Sequence, residues 1–221
     1  MQVRDALERR MTVRAFRPDP VPRQIVLDIL ADAARTPSWA DSQPWEVWAA
    51  SGDALERLRA AFVRAFEEGV PGNPEMPTPT AWPEDLRRRT NEMISGRAAQ
   101  APVPADPAEA RKAFGLMNRR FFGAPAVVYL CMDRTLSPWS IFDMGAMAQT
   151  IMLAAQDRGV DSAPAVNLVI YPDLIRAELE IPGEYMILFG IALGYRDPDH
   201  DANRYRSPRR PVEDFVRLAG F

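Results

Sequence analysis

Three residues near the start of the chain, Arg10, Thr12 and Arg14, combine two guanidinium groups with a hydroxyl. Guanidinium groups bind phosphate oxygens through paired hydrogen bonds, so this cluster favours an anionic ligand that carries a phosphate. The apolar spacing over 2–10 predicts a short helix, and the cluster stands where the chain leaves that helix. The alternative is a solvated basic helix end, whose charge complements the helix dipole.

A rigid polar loop is expected over 37–45, where Ser38, Asp41 and Gln43 supply a hydroxyl, a carboxylate and an amide. Two prolines and two tryptophans in the same stretch restrict its conformation. Such a loop can surround a planar heterocycle. The alternative is an ordered turn whose side chains satisfy its own backbone.

A basic segment lies near the end of the chain at 203–211, although the whole protein carries a net charge of −3. An exposed basic tail is the simpler interpretation of such a run. Together with the two earlier segments, it could complete one site for an anionic cofactor. The phosphate of that cofactor would then be held by arginines and helix ends.

The composition excludes several other kinds of site. With 27 Lys and Arg residues against 30 Asp and Glu, the chain is too acidic for a dedicated nucleic-acid binder. One His and one Cys leave no basis for a zinc-ligating HExxH motif or an intramolecular disulfide, and we expect no metal site. The sequence contains no GxGxxG, GxxxxGK(S/T) or GxSxG motif, which disfavours standard dinucleotide, P-loop and hydrolase sites.

Neither export nor membrane insertion is expected. Residues 1–11 are charged and lack an apolar signal region, and no run of ~18 apolar residues exists to form a transmembrane helix. The single cysteine suits a reducing compartment. We therefore expect a cytoplasmic protein that binds a small molecule.

The elements that must position these segments mix helices and strands without a regular β-α-β alternation, which indicates an α+β fold. Strands are predicted over 45–50, 126–132, 160–169 and 185–193. Helices are predicted from Pro22, from Gly52, over 84–98, 108–122 and 172–180, and in a short stretch from Pro211. The longest helix begins at Ser137 and Pro138, which suit an N-cap and a first helical position, and reaches Arg158. It is apolar nearly all round, which indicates a core or interface helix.

Residues 69–83 contain five prolines, which exclude a helix or a central strand there. A helix and a second Pro- and Ala-rich link follow. We expect a mobile excursion on the surface at about 69–107, carried by a single domain that spans 1–221.

At these segments the chain resembles the FMN-dependent nitroreductase family. Arg10, Thr12, Arg14 and Phe16 match the opening Arg-x-Ser/Thr-x-Arg/Lys-x-Phe pattern of that family. The family's Ser-x-x-Asn-x-Gln-Pro-Trp loop is matched from Ser38 to Trp45, with Asp41 in the place of Asn. Further matches follow in order along nearly the whole chain, at Ala124–Pro125, Asp143–Gly145, Ala154–Gly159, Gly190–Asp197 and Arg209–Pro211.

The resemblance implies a three-layer α+β fold, with a central mixed, mostly antiparallel sheet flanked by helices, in an intertwined homodimer that holds FMN at the subunit interface. It also implies three groups of cofactor-binding residues. The first group would bind the phosphate and nearby ring atoms and consists of Arg10, Met11 (through its backbone), Thr12, Arg14 and Arg209. The loop that touches the flavin across the dimer supplies Ser38, Trp39, Asp41 and Gln43. The segment over the flavin ring supplies Pro164, Ala165, Val166 and Asn167.

The activity implied by the resemblance is the transfer of electrons from NADH or NADPH to a nitroaromatic, a quinone or a similar planar acceptor by a ping-pong mechanism. The flavin carries the chemistry, so no side chain is expected to act as a catalytic nucleophile. Arg14 or Arg209 would stabilise negative charge on the reduced ring. In the excursion, we expect Trp82, Arg87 and Arg88 to line the substrate channel.

Two alternatives stay open at this point. The same fold could support flavin-dependent dehalogenation or desaturation. A protein of a different class could bind flavin or an anionic metabolite without turnover, as a carrier or sensor.

The presence of Asp41, where the family pattern has Asn, generates a first prediction. An ionised Asp only accepts hydrogen bonds, whereas Asn also donates, so the Asp41 carboxylate should oppose the anionic reduced flavin and lower its reduction potential. The substitution Asp41→Asn should therefore raise that potential, measured by equilibration with a reference dye. An unchanged potential would contradict the hypothesis.

Overall fold

Four strands form one sheet in the computed structural model, which describes residues 1–101 and 104–221. The strands are β1 (Glu46–Ser51), β2 (Ala126–Asp133), β3 (Asp161–Ala165) and β4 (Tyr185–Gly194), in the spatial order β1-β2-β4-β3. Each pair of neighbouring strands is antiparallel. An isolated parallel bridge between Thr12 and Ser162 attaches the N-terminal segment to β3. The sheet is therefore almost wholly antiparallel, as expected for this α+β fold.

The described residues also form seven α-helices. They are α1 (Val3–Arg9), α2 (Arg23–Ala33), α3 (Gly52–Glu67), α4 (Glu84–Ala98), α5 (Pro107–Arg119), α6 (Pro138–Asp157) and α7 (Pro172–Leu179). Buried side chains of α3 and α7 belong to one hydrophobic core, and those of α2 and α6 to a second. Over the described ranges, no helix combines the length and the apolarity needed to cross a membrane.

Strand β2 lies between the two cores and explains the layered arrangement. Its residues from Ala126 to Met132 are at most 3% exposed. Because successive side chains of a strand point to opposite faces, Val127 and Tyr129 pack in one core while Val128 and Leu130 pack in the other. Helices therefore cover both faces of the sheet, which gives three layers.

Two predicted elements end earlier than expected, and a third is a 3-10 turn instead of an α-helix. The helix expected to reach residue 122 ends at Arg119, because Phe121 and Phe122 adopt positive φ values of 53° and 58°. The strand expected over 160–169 ends at Ala165, and the following turn places Leu168 against the bare backbone of Gly190. The helix expected from Pro211 is a single 3-10 turn, Val212–Asp214.

The longest helix, α6, begins and ends close to its predicted bounds. Pro138 occupies its first turn, as expected. Ser137 stands at the N-cap, but its hydroxyl makes no capping hydrogen bond. The N-cap position of Ser137 was therefore predicted correctly, but the capping hydrogen bond expected of its side chain is not formed.

The first half of the proline-rich segment is bound to the core. Such binding was not expected for a mobile surface excursion. Glu75 forms ion pairs with Arg134 and Arg176. Its Oε2 also accepts a hydrogen bond of 2.6 Å from the backbone N–H of Ile187. The segment then leads into α4, which spans 84–98 as predicted. None of the residues of α4 is buried.

Candidate functional site

The chain is extended where it leaves α1, and this places the first predicted cluster on one face. Met11 and Val13 are buried, at 7% and 0% exposure. Arg10, Thr12 and Arg14 alternate with them and are half-buried. The alternation follows the two-residue period of an extended chain, so the two guanidinium groups and the hydroxyl face the same way.

The same segment lies directly beside β3. The Val13 N–H donates a hydrogen bond of 3.0 Å to the Ser162 carbonyl, next to the bridge between Thr12 and Ser162. The structure thereby brings the arginine cluster to the strand that leads into the segment from Pro164 to Asn167. The Ser162 hydroxyl is buried and has no hydrogen-bond partner among the described residues.

Asn203 attaches the basic C-terminal segment to the N-terminal cluster. Its Oδ1 accepts a hydrogen bond of 2.8 Å from the Arg14 N–H. Its Nδ2 donates to the carbonyls of Ala15 and Asp197, both at 2.8 Å. This buried amide therefore uses both its donors and an acceptor to join segments at opposite ends of the sequence.

Like charges gather at this junction. Burial, followed by the charges of Arg209 and Arg206, lowers the pKa of Arg10. Burial, followed by the charge of Arg97 in α4, lowers the pKa of Arg14 to about 10. Burial also lowers the pKa of Arg97. With a pKa of about 10, Arg14 nevertheless remains protonated at neutral pH.

The cluster lacks the carboxylates that would neutralise it. Within residues 1–101 and 104–221, no ion pair includes Arg10, Arg14, Arg97, Arg206 or Arg209. Arg10, Arg14 and Arg97 are half-buried, whereas Arg206 and Arg209 are exposed. Half-buried guanidinium groups without a counter-charge favour an anion from elsewhere. The donor set therefore fits a phosphate-bearing cofactor, while the assignment of Arg10, Thr12, Arg14 and Arg209 to its phosphate stays a prediction.

The loop expected to surround a heterocycle has an unusual backbone. Ala40, Asp41 and Gln43 adopt positive φ values of 51°, 56° and 45°. Such conformations cost non-glycine residues of order 1–3 kcal/mol each and persist only where the surroundings enforce them. Here the buried Asp143 of α6 accepts a hydrogen bond from the Trp39 N–H, at 3.2 Å.

The polar side chains of this loop already engage one another. The Ser38 hydroxyl accepts a hydrogen bond of 2.9 Å from the Gln43 N–H. The Gln43 side-chain amide donates to the Asp41 carboxylate at 3.0 Å. The alternative interpretation of an internally satisfied turn is thus correct for part of the loop, while its exposed groups stay available to a ligand.

Apolar side chains surround the loop and face solvent. Trp39, Trp139 and Phe142 are 68%, 67% and 74% exposed. Together with Pro37, Ser38 and Asp143, they line a concavity of about 500 Å³. An exposed apolar patch of this kind marks an interaction surface on a soluble protein. No hydrogen bond or ion pair of the described residues joins this loop to the arginine cluster.

The third predicted group, Pro164, Ala165, Val166 and Asn167, has mixed accessibility. Val166 is 39% exposed, whereas the Asn167 side chain turns towards α5. Asn167 Oδ1 accepts a hydrogen bond of 3.0 Å from Arg119, and its Nδ2 donates to Asn118 at 3.2 Å. The amide of Asn167 is thus engaged within the protein, and its predicted contact with a flavin stays a prediction.

The predicted channel residues are all exposed to solvent. Trp82 is 51% exposed, and Arg87 and Arg88 lie on the solvent side of α4. Arg88 forms an exposed ion pair with Glu92 at 3.4 Å. The arginine of α4 whose charge acts on the cluster is instead Arg97. No motif in the sequence points to Arg97, because the packing of Gly96 against Tyr205 is a tertiary contact.

Comparison with known proteins now identifies the class. The Nitroreductase family model matches residues 7–195, and the chain belongs to this family. A chloronitrobenzene nitroreductase of Comamonas testosteroni is 32% identical over 218 residues, which cover 96% of this chain and 94% of that protein.

Two solved structures resemble the whole chain. One is the FMN-dependent nitroreductase NfnB from Mycobacterium smegmatis in complex with NADPH, which has a TM-score of 0.91 and 32% identity and covers 99% of this chain and 100% of that chain. The other is the FMN- and NADPH-dependent nitroreductase NfnB from Sphigopyxis sp. strain HMH, with a TM-score of 0.94, 28% identity and full coverage, 100%, of both chains. The nitroreductase-like fold expected from the sequence is confirmed.

The amide that joins the two ends of the chain generates a stability prediction. Asn203→Asp keeps an acceptor for the Arg14 N–H but loses both donors. The Asp197 carbonyl then loses its partner, the Ala15 carbonyl keeps only the Asp197 N–H, and both face a carboxylate. The free energy of unfolding should fall by about 2–4 kcal/mol, measured by urea denaturation.

Asn91→Asp, at an exposed position of α4, introduces the same chemical change as a control and should alter stability by about 0.5 kcal/mol or less. Equal stability of the two variants would show that Asn203 does not hold the segments together.

Proposed function

We propose that the protein is an FMN-dependent oxidoreductase that passes electrons from NADH or NADPH to a nitroaromatic, a quinone or a similar planar acceptor. The observation that carries the proposal is the cluster of half-buried arginines without carboxylate partners. The names of the related proteins, which include FMN- and NADPH-dependent nitroreductases, support the same conclusion.

Different residues of the cluster would bind different parts of FMN. Arg10, Arg206 and Arg209 would hold the phosphate, since the charges of Arg206 and Arg209 both act on Arg10. FMN, when bound, supplies the redox chemistry. Arg14 would be a preorganised cation where negative charge develops, held in place by its backbone hydrogen bond to Asn203.

Other potential catalytic side chains are unsuited to a nucleophilic or acid–base role. Cys131 is fully buried, and burial raises the pKa of its thiol to about 12. The His200 ring accepts a hydrogen bond from the Ala202 N–H at a turn. A reaction in which the cofactor carries the chemistry needs neither group. A cytoplasmic location, testable by cell fractionation, would give the enzyme access to both nicotinamide donors.

The proposal extends to a homodimer in which the partner subunit completes each site. The loop from Ser38 to Gln43 and the arginine cluster carry the two halves of the expected site, yet no described hydrogen bond joins them within one chain. Exposed Trp139 and Phe142 flank the loop. Burial of these rings against a second copy would remove apolar surface from water and bring the partner's loop to the cluster.

Flavin binding tests the assignment directly. Arg10→Gln removes a charge-assisted contact to the phosphate, so the affinity for FMN should fall about 10- to 100-fold. Riboflavin lacks the phosphate, so its affinity should change less than about twofold, with both affinities measured by quenching of flavin fluorescence. Arg111→Gln, at an exposed position of α5, is the matched control and should leave both affinities unchanged.

Wild-type protein that binds neither flavin would overturn the proposed function. Oxidation of NAD(P)H coupled to reduction of a nitroaromatic separates an enzyme from a carrier or sensor. A protein that binds FMN and fails to bleach it anaerobically with either nicotinamide would be a binding protein.

The homodimer generates its own prediction. Phe142→Asp would bury a carboxylate in the expected interface, so the protein should become a monomer in size-exclusion chromatography with light scattering. Its FMN affinity should fall in parallel. Ile94→Asp alters another exposed apolar residue, on α4, and should leave the oligomeric state unchanged. A wild-type monomer, or a dimeric Phe142→Asp variant, would contradict this interface.

A further inference from the structure

The last turn of α4 brings an additional guanidinium group, that of Arg97, to the arginine cluster. We propose that Arg97 is a cofactor-site residue, which pairs with Arg14 to stabilise the negative charge that FMN gains on reduction. The inference rests on the proposed function and deepens it. It would make α4, which otherwise packs loosely on the protein, a part of the cofactor site.

The end of α4 is held in place by close packing. A Cβ atom built on Gly96 would lie 2.5 Å from Cε2 and 3.0 Å from Cζ of Tyr205, so the bare helix backbone touches that ring. The next residue, Arg97, has its guanidinium carbon 5.5 Å from the centre of the Phe114 ring. The first contact brings the end of α4 to the C-terminal segment, two residues from Asn203, which accepts the hydrogen bond from the Arg14 N–H. The second sets the Arg97 side chain on α5.

The cations of the cluster fall into two groups. The neighbouring charges that act on Arg10 are Arg209 and Arg206, whereas the neighbouring charge that acts on Arg14 is Arg97. The first group already supplies three guanidinium groups for a phosphate dianion. The second is a pair of half-buried cations for which the described residues supply no ion-pairing carboxylate. It is therefore available to a different negative charge.

Reduction supplies such a charge. A hydride delivered by a nicotinamide carries two electrons and one proton, so bound FMN would gain one negative charge, which Arg14 and Arg97 would face, and NAD(P)⁺ would leave. The repulsion between two nearby cations is relieved when an anion lies beside both. The pair should therefore bind reduced FMN more tightly than oxidised FMN, and by linkage it should raise the reduction potential.

The test compares Arg97→Gln, Arg97→Lys and the control Arg111→Gln in FMN-loaded protein. The midpoint potential is measured by anaerobic equilibration with a reference dye, and the affinity for oxidised FMN and riboflavin by fluorescence. In Arg97→Gln, the affinity for reduced relative to oxidised FMN should fall about tenfold, which for two electrons is a potential about 30 mV more negative.

The remaining variants distinguish a direct role from a structural one. Arg97→Lys retains the charge and should restore most of the potential, whereas Arg111→Gln should leave it unchanged. Loss of helix packing alone would weaken the binding of oxidised and reduced FMN equally and would not move the potential. The urea midpoint of each variant shows whether the fold is intact.

Two results would overturn the inference. The first is an unchanged potential in Arg97→Gln. The second is a loss of FMN affinity that is equal in the oxidised and reduced states and that riboflavin does not share, which would assign Arg97 to the phosphate. Both differ from failure of the proposed function, in which the wild-type protein would bind no flavin.

Discussion

Positive charge without a matching carboxylate is the constraint on which the candidate site depends. Half-buried like charges repel one another and lose hydration, so the segments that carry them would separate unless other contacts held them together. The structure provides such contacts in the amide of Asn203 and in the pairing of the N-terminal segment with β3. The scaffold offsets this cost before any ligand binds, so the site is preorganised for an anion.

The surface excursion at about 69–107 is attached to the core near its beginning, and the end of its helix α4 lies at the candidate site. Glu75 holds its beginning through two arginines and a backbone N–H. The packing of Gly96 against Tyr205 holds the end of α4. In the proposed enzyme, an acceptor beside the flavin would lie close to α4, and the charge state of the cofactor would act on the same helix. This arrangement would link substrate access to the redox site through one element.

The strained loop from Ser38 to Gln43 contributes in a different way. Its left-handed residues are held by a buried carboxylate of α6 and by hydrogen bonds within the loop. The helix that fixes the loop also presents Phe142 to solvent. A single rigid element therefore supports both the loop and the apolar surface proposed as the dimer interface, so that dimer formation and completion of the site would occur together.

The sequence by itself determined the α+β class, most helix and strand positions, and the types of residue in the arginine cluster and the polar loop. These features follow from local patterns of apolar spacing, prolines and charge. Only the tertiary structure decided that Arg10, Thr12 and Arg14 face the same way, that the Asn167 amide turns to α5, and that Arg97 rather than Arg87 or Arg88 reaches the cluster. It also ended the predicted helix at Arg119 and the predicted strand at Ala165. These outcomes depend on contacts between residues far apart in the chain, where packing and charge, rather than local propensity, set the conformation.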